Sequence, residues 1–517
     1  MTNLALSHIQ KMRPYAPPLN NRRSYAGLLL DFNERTIPPV PKIKRALQKS
    51  VADNQWQCYP EYGNLTISIA RYAKVPVKNI LLTNGSEQGI DLVFRTFTQP
   101  GDEVIIPVPT YRLFEQFARL NGNRVMAPRY YTDGAFPLAE ILRRLTRRTR
   151  LIVVCNPNNP TGTAIQTKDI VRLARAAPRA IIYVDEAYFE FCGITAVPLI
   201  QKYPNIIVSR TFSKAFGLAA LRLGYLIAAP RYITEFTKVR GPYDVNMAAV
   251  VAARAALNNL PATKKYVAAV MRYAKPLVEQ FFTKQQIPYL PSGGNFLLFR
   301  PPNAAMAWRL LKAAGCLVRL LNYPKLGVWL RVTIGTQSQM KQFIRTYRAT
   351  NLQKYAFLDR DGTLIFEPPD TRQVDSSRQL QILPSVITGL KKLSAAGYRL
   401  IMITNQDGLG TKIFPRKNFT AVQKKLLAQL NQEGIGFTRI FVCPHLPKKR
   451  CSCRKPQTGL LQQFLRQRQS AIDRGYSLVC GDRYSDRLLA RNLGLRFVAT
   501  TTNGSFASVL KRMLPIK

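Results

Sequence analysis

Lys214 lies in Ser209-Arg-Thr-Phe-Ser213-Lys214-Ala-Phe-Gly-Leu-Ala-Ala-Leu-Arg222, directly after a run that reads as a buried strand. An amine placed there can form a Schiff base with an aldehyde. Ser213 and Arg222 add a hydroxyl and a fork of donors that suit a phosphate. Asn84-Gly85-Ser86-Glu87 ends another strand and opens a helix, so its backbone N–H groups can cradle a phosphate. Tyr111 could stack on a ring, and Asn156-Pro-Asn-Asn159-Pro-Thr-Gly162 is a turn rich in donors. Asp185 closes Ile181-Ile-Tyr-Val-Asp; a carboxylate there can keep a pyridinium nitrogen protonated, and Tyr188 can donate to a ring oxygen. The set suits pyridoxal phosphate.

A second constellation begins at Phe357-Leu-Asp359-Arg-Asp361-Gly-Thr363. One carboxylate can attack phosphorus and the other can protonate the leaving oxygen. Asp-x-Asp-Gly alone also fits a turn or a calcium loop. Three later elements favour phosphoryl chemistry: Thr404-Asn405 after a strand, Lys455 in Cys-Arg-Lys-Pro, and Gly481-Asp482-Arg-Tyr-Ser-Asp486 after another strand. Carboxylates gathered beside a phosphate call for a divalent ion, Mg2+ here, and a lysine. Cys443-Pro-His445 and Cys451-Ser-Cys453 place four soft ligands within eleven positions. Cys3His is a closed tetrahedral zinc set, hence structural; a disulfide or free thiols are the alternatives.

The elements that must position these residues follow from the pattern. Apolar runs at Asn79–Thr83, Glu103–Ile106, Arg150–Cys155, Ala180–Asp185, Ile206–Ser209 and Leu223–Ala228 alternate with helical stretches, which predicts a parallel α/β sheet. A helical region over Met247–Lys284 and strands at Asn295–Phe299 and Val328–Ile334 predict a smaller α+β subdomain. A new unit begins at Gln353, with strands at Tyr355–Leu358, Arg399–Thr404, Ile440–Cys443 and Ser477–Cys480. The expected division is 1–352 and 353–517, joined by a short segment rather than a long tether.

At 517 residues more than one domain is expected, and 46% apolar with 20% charged residues is a globular composition. No membrane span and no secretory signal are expected, and a cytoplasmic enzyme fits. The formal charge is +48, with +18 over 353–517 and +30 before it. An excess spread in proportion to length, without a basic tail, reads as a solvated surface bias rather than a nucleic-acid site.

Over about residues 10–350 the chain resembles the fold-type-I aminotransferases, and within them the histidinol-phosphate aminotransferases. The resemblance implies Lys214 as the catalytic Schiff-base and proton-shuttling residue and Asp185 as partner of the ring nitrogen. It puts Asn159 and Tyr188 on the ring oxygen, Tyr111 on the ring face, and Gly85, Ser86, Glu87, Ser213 and Arg222 on the cofactor phosphate. Arg331 and Arg319 would bind an anionic group of the substrate. Tyr59 would reach the phosphate of a neighbouring subunit, which implies a homodimer. Over about residues 353–500 the chain resembles haloacid-dehalogenase-superfamily phosphatases with a Rossmann-like domain, and among them histidinol-phosphatases. This implies Asp359 as nucleophile, Asp361 as general acid/base, and Thr404, Asn405 and Lys455 on the phosphoryl group. Mg2+ would be held by Asp359, the Asp361 carbonyl and Asp482, and Zn2+ by Cys443, His445, Cys451 and Cys453. The implied reactions are consecutive: imidazole-acetol phosphate with glutamate gives histidinol phosphate, which is then hydrolysed.

Overall fold

The computed structural model describes residues 4–17, 22, 24–53, 56–323, 327–350, 353–468 and 472–513. It divides into two compact units, Met1–Thr350 and Asn351–Lys517. The expected join includes 351–352, which lie outside the described residues.

In the first unit a seven-stranded sheet runs in the order Ile80–Thr83, Gly224–Ile227, Ile206–Thr211, Ile181–Asp185, Thr149–Cys155, Glu103–Ile105, Arg124–Met126. Apart from the edge strand Arg124–Met126 and the exposed Arg150, the strands are buried on both faces, and alternate residues separate into two cores. Ile182, Val184, Ile206 and Val208 face the helices Gly63–Ala73, Thr167–Ala176 and Met247–Leu257. Ile181, Tyr183 and Ile207 face Gly85–Phe97, Arg112–Leu120 and Pro230–Val239. Each large aliphatic or Phe side chain removed from water in this way contributes about 1.5–3 kcal/mol.

The parallel-sheet expectation needs one correction. Gly224–Ile227 is antiparallel to both Ile206–Thr211 and Ile80–Thr83. A parallel return requires a crossover of a dozen or more residues, usually through a helix. The twelve residues between Thr211 and Gly224 hold no crossover helix, only the short 3-10 turn Ala219–Leu221, and the chain doubles back.

A second, mixed sheet is ordered Leu28–Leu30, Cys316–Tyr323, Gly327–Thr333, Phe296–Phe299, Tyr289–Leu290. It shares a core with Lys275–Lys284, Ala304–Ala313 and Gln337–Thr350, through Val278, Phe282, Leu311 and Phe343. This is the expected small subdomain, widened by Leu28–Leu30 and Cys316–Tyr323.

The second unit is built on five parallel strands, ordered Arg439–Cys443, Tyr398–Asn405, Lys354–Leu358, Leu478–Gly481, Arg496–Ala499. Ala356, Leu358, Leu400 and Met402 pack on one face, and Tyr355, Phe357, Ile401 and Ile403 on the other. Strand order reverses about Lys354–Leu358, the switch point at whose carboxyl end α/β sheets bind ligands. Asp359, Thr404 and Asp482 all lie at that end. Among the described residues no helix is long and apolar enough to cross a membrane.

Candidate active sites

In the first unit, Lys214 follows the strand Ile206–Thr211 by three residues. Its Nζ donates to the Phe32 carbonyl at 3.0 Å. Burial pushes the amine down to about 8, and the Arg331 guanidinium adds to that. Asp185, at the end of the adjoining strand, is pushed the other way: burial raises its carboxyl to about 6, against hydrogen bonds from Ala187 and Ser209. Tyr188 is buried beneath them; its hydroxyl accepts from Asn33 Nδ2 at 3.0 Å, and burial pushes it up to about 12.

The turn that carries Asn159 is fixed from behind. Asn158 Nδ2 donates to the Pro109 carbonyl at 2.9 Å, and Thr110 Oγ1 donates to Asn158 Oδ1 at 2.7 Å, so the Asn159 and Tyr111 turns are tied together. Asn159 Oδ1 accepts from Arg331 Nη1. Arg331 Nη2 donates to the Asp31 carbonyl at 2.7 Å, and Arg319 is the direct cross-strand partner of Arg331. Buried Arg331 Nε and Arg319 Nη1 have no hydrogen-bond partner among the described residues, which is the condition an anion would relieve.

Gly85 opens the helix Gly85–Phe97 at φ +71°, and a Cβ there would lie 2.6 Å from Arg222 Nη2. Arg222 Nη2 is 3.2 Å from Glu87 Oε2, while the Tyr111 hydroxyl donates to Glu87 Oε1 at 2.8 Å. Ser213 is buried, and its Oγ accepts from Thr211 at 3.0 Å. The helix N-terminus and Arg222 thus form a cradle, and Ser213 is bonded to Thr211, the strand partner of the Gly224 that packs on Gly85 and Ser86. The aldehyde, ring and phosphate of pyridoxal phosphate each have a fitting set: Lys214, Asp185 with Tyr188, and this cradle. Tyr59 is the exception: it is 74% exposed and stacks on Tyr243 at 4.1 Å.

In the second unit, Lys455 Nζ bridges Asp359 Oδ1 and Asp486 Oδ1, each at 2.7 Å. Carboxylate oxygens of Asp359, Asp482 and Asp486 lie within 4.8 Å of one another. Burial raises the Asp359 carboxyl well above the usual range, with the Asp486 charge adding and Lys455 opposing. Three carboxylates against one lysine leave negative charge that a divalent cation would offset. Asp482 is oriented by Thr502, whose hydroxyl donates at 2.6 Å. The Asp361 carboxylate stands outside this cluster. It accepts from Arg360 Nη2 at 2.8 Å and Gln406 Nε2 at 2.6 Å, which leaves its backbone carbonyl as the atom the resemblance would put on a metal.

Thr404 Oγ1 accepts from Gln406 Nε2 at 2.7 Å and lies 3.5 Å from Asp361 Oδ2. Asn405 differs from expectation. Its Oδ1 accepts from the Lys455 N–H at 3.0 Å and its Nδ2 points to the Lys455 carbonyl at 3.4 Å, so it positions Lys455 with both ends of its amide. Several contributors had no sequence signal. Arg360 is fully buried, holds Asp361 and Gln406, and lies over the Phe419 ring at 4.8 Å. A charged residue between two aspartates reads as exposed until its pocket is known. Asp486 was visible within its motif; its contact with Lys455 was not.

Cys443, His445, Cys451 and Cys453 converge. Cys443 Sγ is 3.9 Å from His445 Nδ1, 3.7 Å from Cys451 Sγ and 3.4 Å from Cys453 Sγ. His445 Nδ1 and Cys451 Sγ are 3.1 and 3.2 Å from Cys453 Sγ. A zinc tetrahedron with bonds of about 2.0–2.3 Å has edges of about 3.3–3.8 Å, so the donor set fits.

Residues 26–346 match the family model for aminotransferase class I and II. Residues 354–503 match the model for polynucleotide kinase 3 phosphatase. A histidinol-phosphate aminotransferase of Symbiobacterium thermophilum is 33% identical over 66% of this chain and 97% of its own length. Histidinol-phosphate aminotransferase 1 of Trichormus variabilis is 30% identical over 67% of this chain and 99% of its own. The crystal structure of the Sinorhizobium meliloti histidinol-phosphate aminotransferase, in complex with pyridoxal-5'-phosphate, superposes with a TM-score of 0.62 at 23% identity. It covers 68% of this chain and 99% of that one, a likeness of fold.

Proposed function

The chain belongs to the class I and II aminotransferases, and we propose that it transfers the amino group of glutamate to imidazole-acetol phosphate and then hydrolyses the histidinol phosphate formed. The observation that carries the first half is the relation to histidinol-phosphate aminotransferases along nearly their whole length, joined to the Arg331–Arg319 pair, whose unpartnered buried Nε and Nη1 atoms suit a substrate phosphate. Pyridoxal phosphate, when bound, supplies the aldehyde and the electron-withdrawing ring. The chain's own groups do the rest. Gly85, Ser86, Glu87, Ser213 and Arg222 hold the phosphate end, and Tyr111 covers the ring. Asp185 keeps the ring nitrogen protonated, while Asn159 and Tyr188 fix the ring oxygen. Lys214, as a neutral amine, would take the proton from the substrate carbon and return it two bonds away, on the far side of the nitrogen. Tyr59, exposed on its own chain, serves the equivalent site of a second copy.

The second unit is read as a haloacid-dehalogenase-type phosphatase, residues 353–517, with Mg2+ held by Asp359, Asp482 and the Asp361 carbonyl and supplying positive charge. Asp359 attacks phosphorus, and the bond to the substrate oxygen breaks. Asp361 protonates that oxygen, then takes a proton from the water that frees the phosphate. Thr404 and Lys455 hold the phosphoryl oxygens. The Cys3His loop takes structural Zn2+.

Each half has its own test. With Asp359→Asn in place, amino transfer between histidinol phosphate and 2-oxoglutarate is expected to persist. With Lys214→Ala, histidinol phosphate is expected still to release phosphate, only with Mg2+. The family model for the second unit, together with its +18 charge, supports one other reading: a phosphatase for 3'-phosphorylated polynucleotides. Release of phosphate from a 3'-phosphorylated oligonucleotide, but not from histidinol phosphate, would favour it.

A further inference from the structure

The strand face that carries Asp185 also carries two hydroxyls that the chemistry above leaves unused. Tyr183 lies two residues before Asp185 and so shares its face. Ser209 is the direct partner of Asp185 on the neighbouring parallel strand. Both are fully buried. The Tyr183 hydroxyl donates to Ser209 Oγ at 2.7 Å, which directs the Ser209 proton onward to Asp185 Oδ1 at 3.3 Å. The Ala187 N–H donates to the same oxygen at 3.0 Å. Among the described residues both bonds land on Oδ1, so Oδ2 is left for a ring nitrogen. The Tyr183 ring packs edge-on to Phe114 at 6.2 Å, and Phe114 edge-on to Tyr111 at 5.8 Å. Tyr111, the expected ring-stacking residue, and Asp185 are thereby tied to one aromatic–hydroxyl path.

We propose that Tyr183 and Ser209 are positioning residues for the cofactor: a two-hydroxyl relay that orients the Asp185 carboxylate and holds it ionised opposite the pyridinium nitrogen. This rests on the assignment of Asp185 to that nitrogen. A hydroxyl on a strand buried at every position is costly unless it is bonded, and among the described residues each is bonded only toward the carboxylate. Burial already brings the Asp185 carboxyl up to about 6, and the Ser209 bond opposes that rise. The other groups facing it are Cys155 on the strand Thr149–Cys155, Tyr183, Glu186, Tyr188 and Lys214. Glu186 favours the neutral acid and Lys214 the carboxylate. Both stay in place when Ser209 is altered, so the change read out belongs to the hydroxyl.

The test uses holoenzyme carrying Ser209→Ala, Tyr183→Phe, or both. It reads the visible absorption of bound cofactor against pH and the cofactor Kd, neither of which needs turnover. Ser209→Ala is expected to move the absorption midpoint to higher pH and weaken cofactor binding about tenfold, as for one hydrogen bond to a charged group. Tyr183→Phe should act in the same direction but less, and should add nothing on top of Ser209→Ala. An unchanged midpoint and Kd in both single variants would overturn the relay, as would a full additional effect of Tyr183→Phe in the double variant. If Ser209→Ala fails to fold, Tyr183→Phe, which deletes one oxygen, decides alone by its midpoint. Wild-type protein that binds no cofactor would instead overturn the parent assignment, and the relay with it.

Discussion

Lys214 and Asp185 sit in one pocket, yet the pocket pushes their proton affinities toward each other, to about 8 and about 6. Burial disfavours the charged form of each, which lowers an amine and raises a carboxyl. A neutral amine is the reactive form toward an aldehyde. The rate at which apoprotein captures pyridoxal phosphate should therefore climb as pH rises through about 8 and level off above it. Arg331 lowers the Lys214 amine further, so Arg331→Gln should move that midpoint upward; absorbance after stopped-flow mixing checks both. The types of these residues were legible because chemistry demands an amine, a carboxylate and arginines in a set order. Their supports were not. The Phe32 carbonyl that receives Lys214 lies 182 residues away in sequence, and Asn33 reaches Tyr188 across 155. No local pattern announces a contact made only by tertiary folding.

At the scale of elements, the strand ends set the chemistry. Gly85 combines a left-handed backbone with the Arg222 side chain where a Cβ would be. Gly85→Ala should cost about 1–3 kcal/mol of stability and weaken cofactor binding. Gly63→Ala is the control: it opens the helix Gly63–Ala73 with nothing within 4 Å of its would-be Cβ, and it should be neutral or slightly stabilising in thermal melts. In the second unit Cys453 is two residues from Lys455, so the Cys3His loop and the lysine that bridges Asp359 and Asp486 share one backbone segment. Cys453→Ser should abolish bound zinc in elemental analysis, lower Tm, and reduce phosphatase activity while amino transfer persists. Strands were legible wherever an apolar run was bounded by turn residues, as at Arg439–Cys443. Strand direction was not: Gly224–Ile227 has the composition of the parallel strands of its sheet, and it runs antiparallel after a connection that holds no crossover helix. Leu28–Leu30 is three residues long, too short to show a period, and is held by pairing with Cys316–Val318.

Over the whole molecule, two units of unrelated topology carry sites that, in the proposed function, each take a phosphorylated small molecule. The +48 charge raises the local concentration of such anions over the entire surface. That gain should fade with ionic strength, because exposed charges are screened within about 8 Å at physiological salt. KM for histidinol phosphate should therefore rise between low salt and about 0.5 M salt with little change in kcat. In the proposed function the product of one unit is the substrate of the other. The most direct measurement is phosphate release from imidazole-acetol phosphate with pyridoxal phosphate and Mg2+, with and without glutamate, in wild-type, Lys214→Ala and Asp359→Asn protein. Release that requires glutamate and is lost in both variants is the predicted result. Release without glutamate, or release that survives Lys214→Ala, would contradict it.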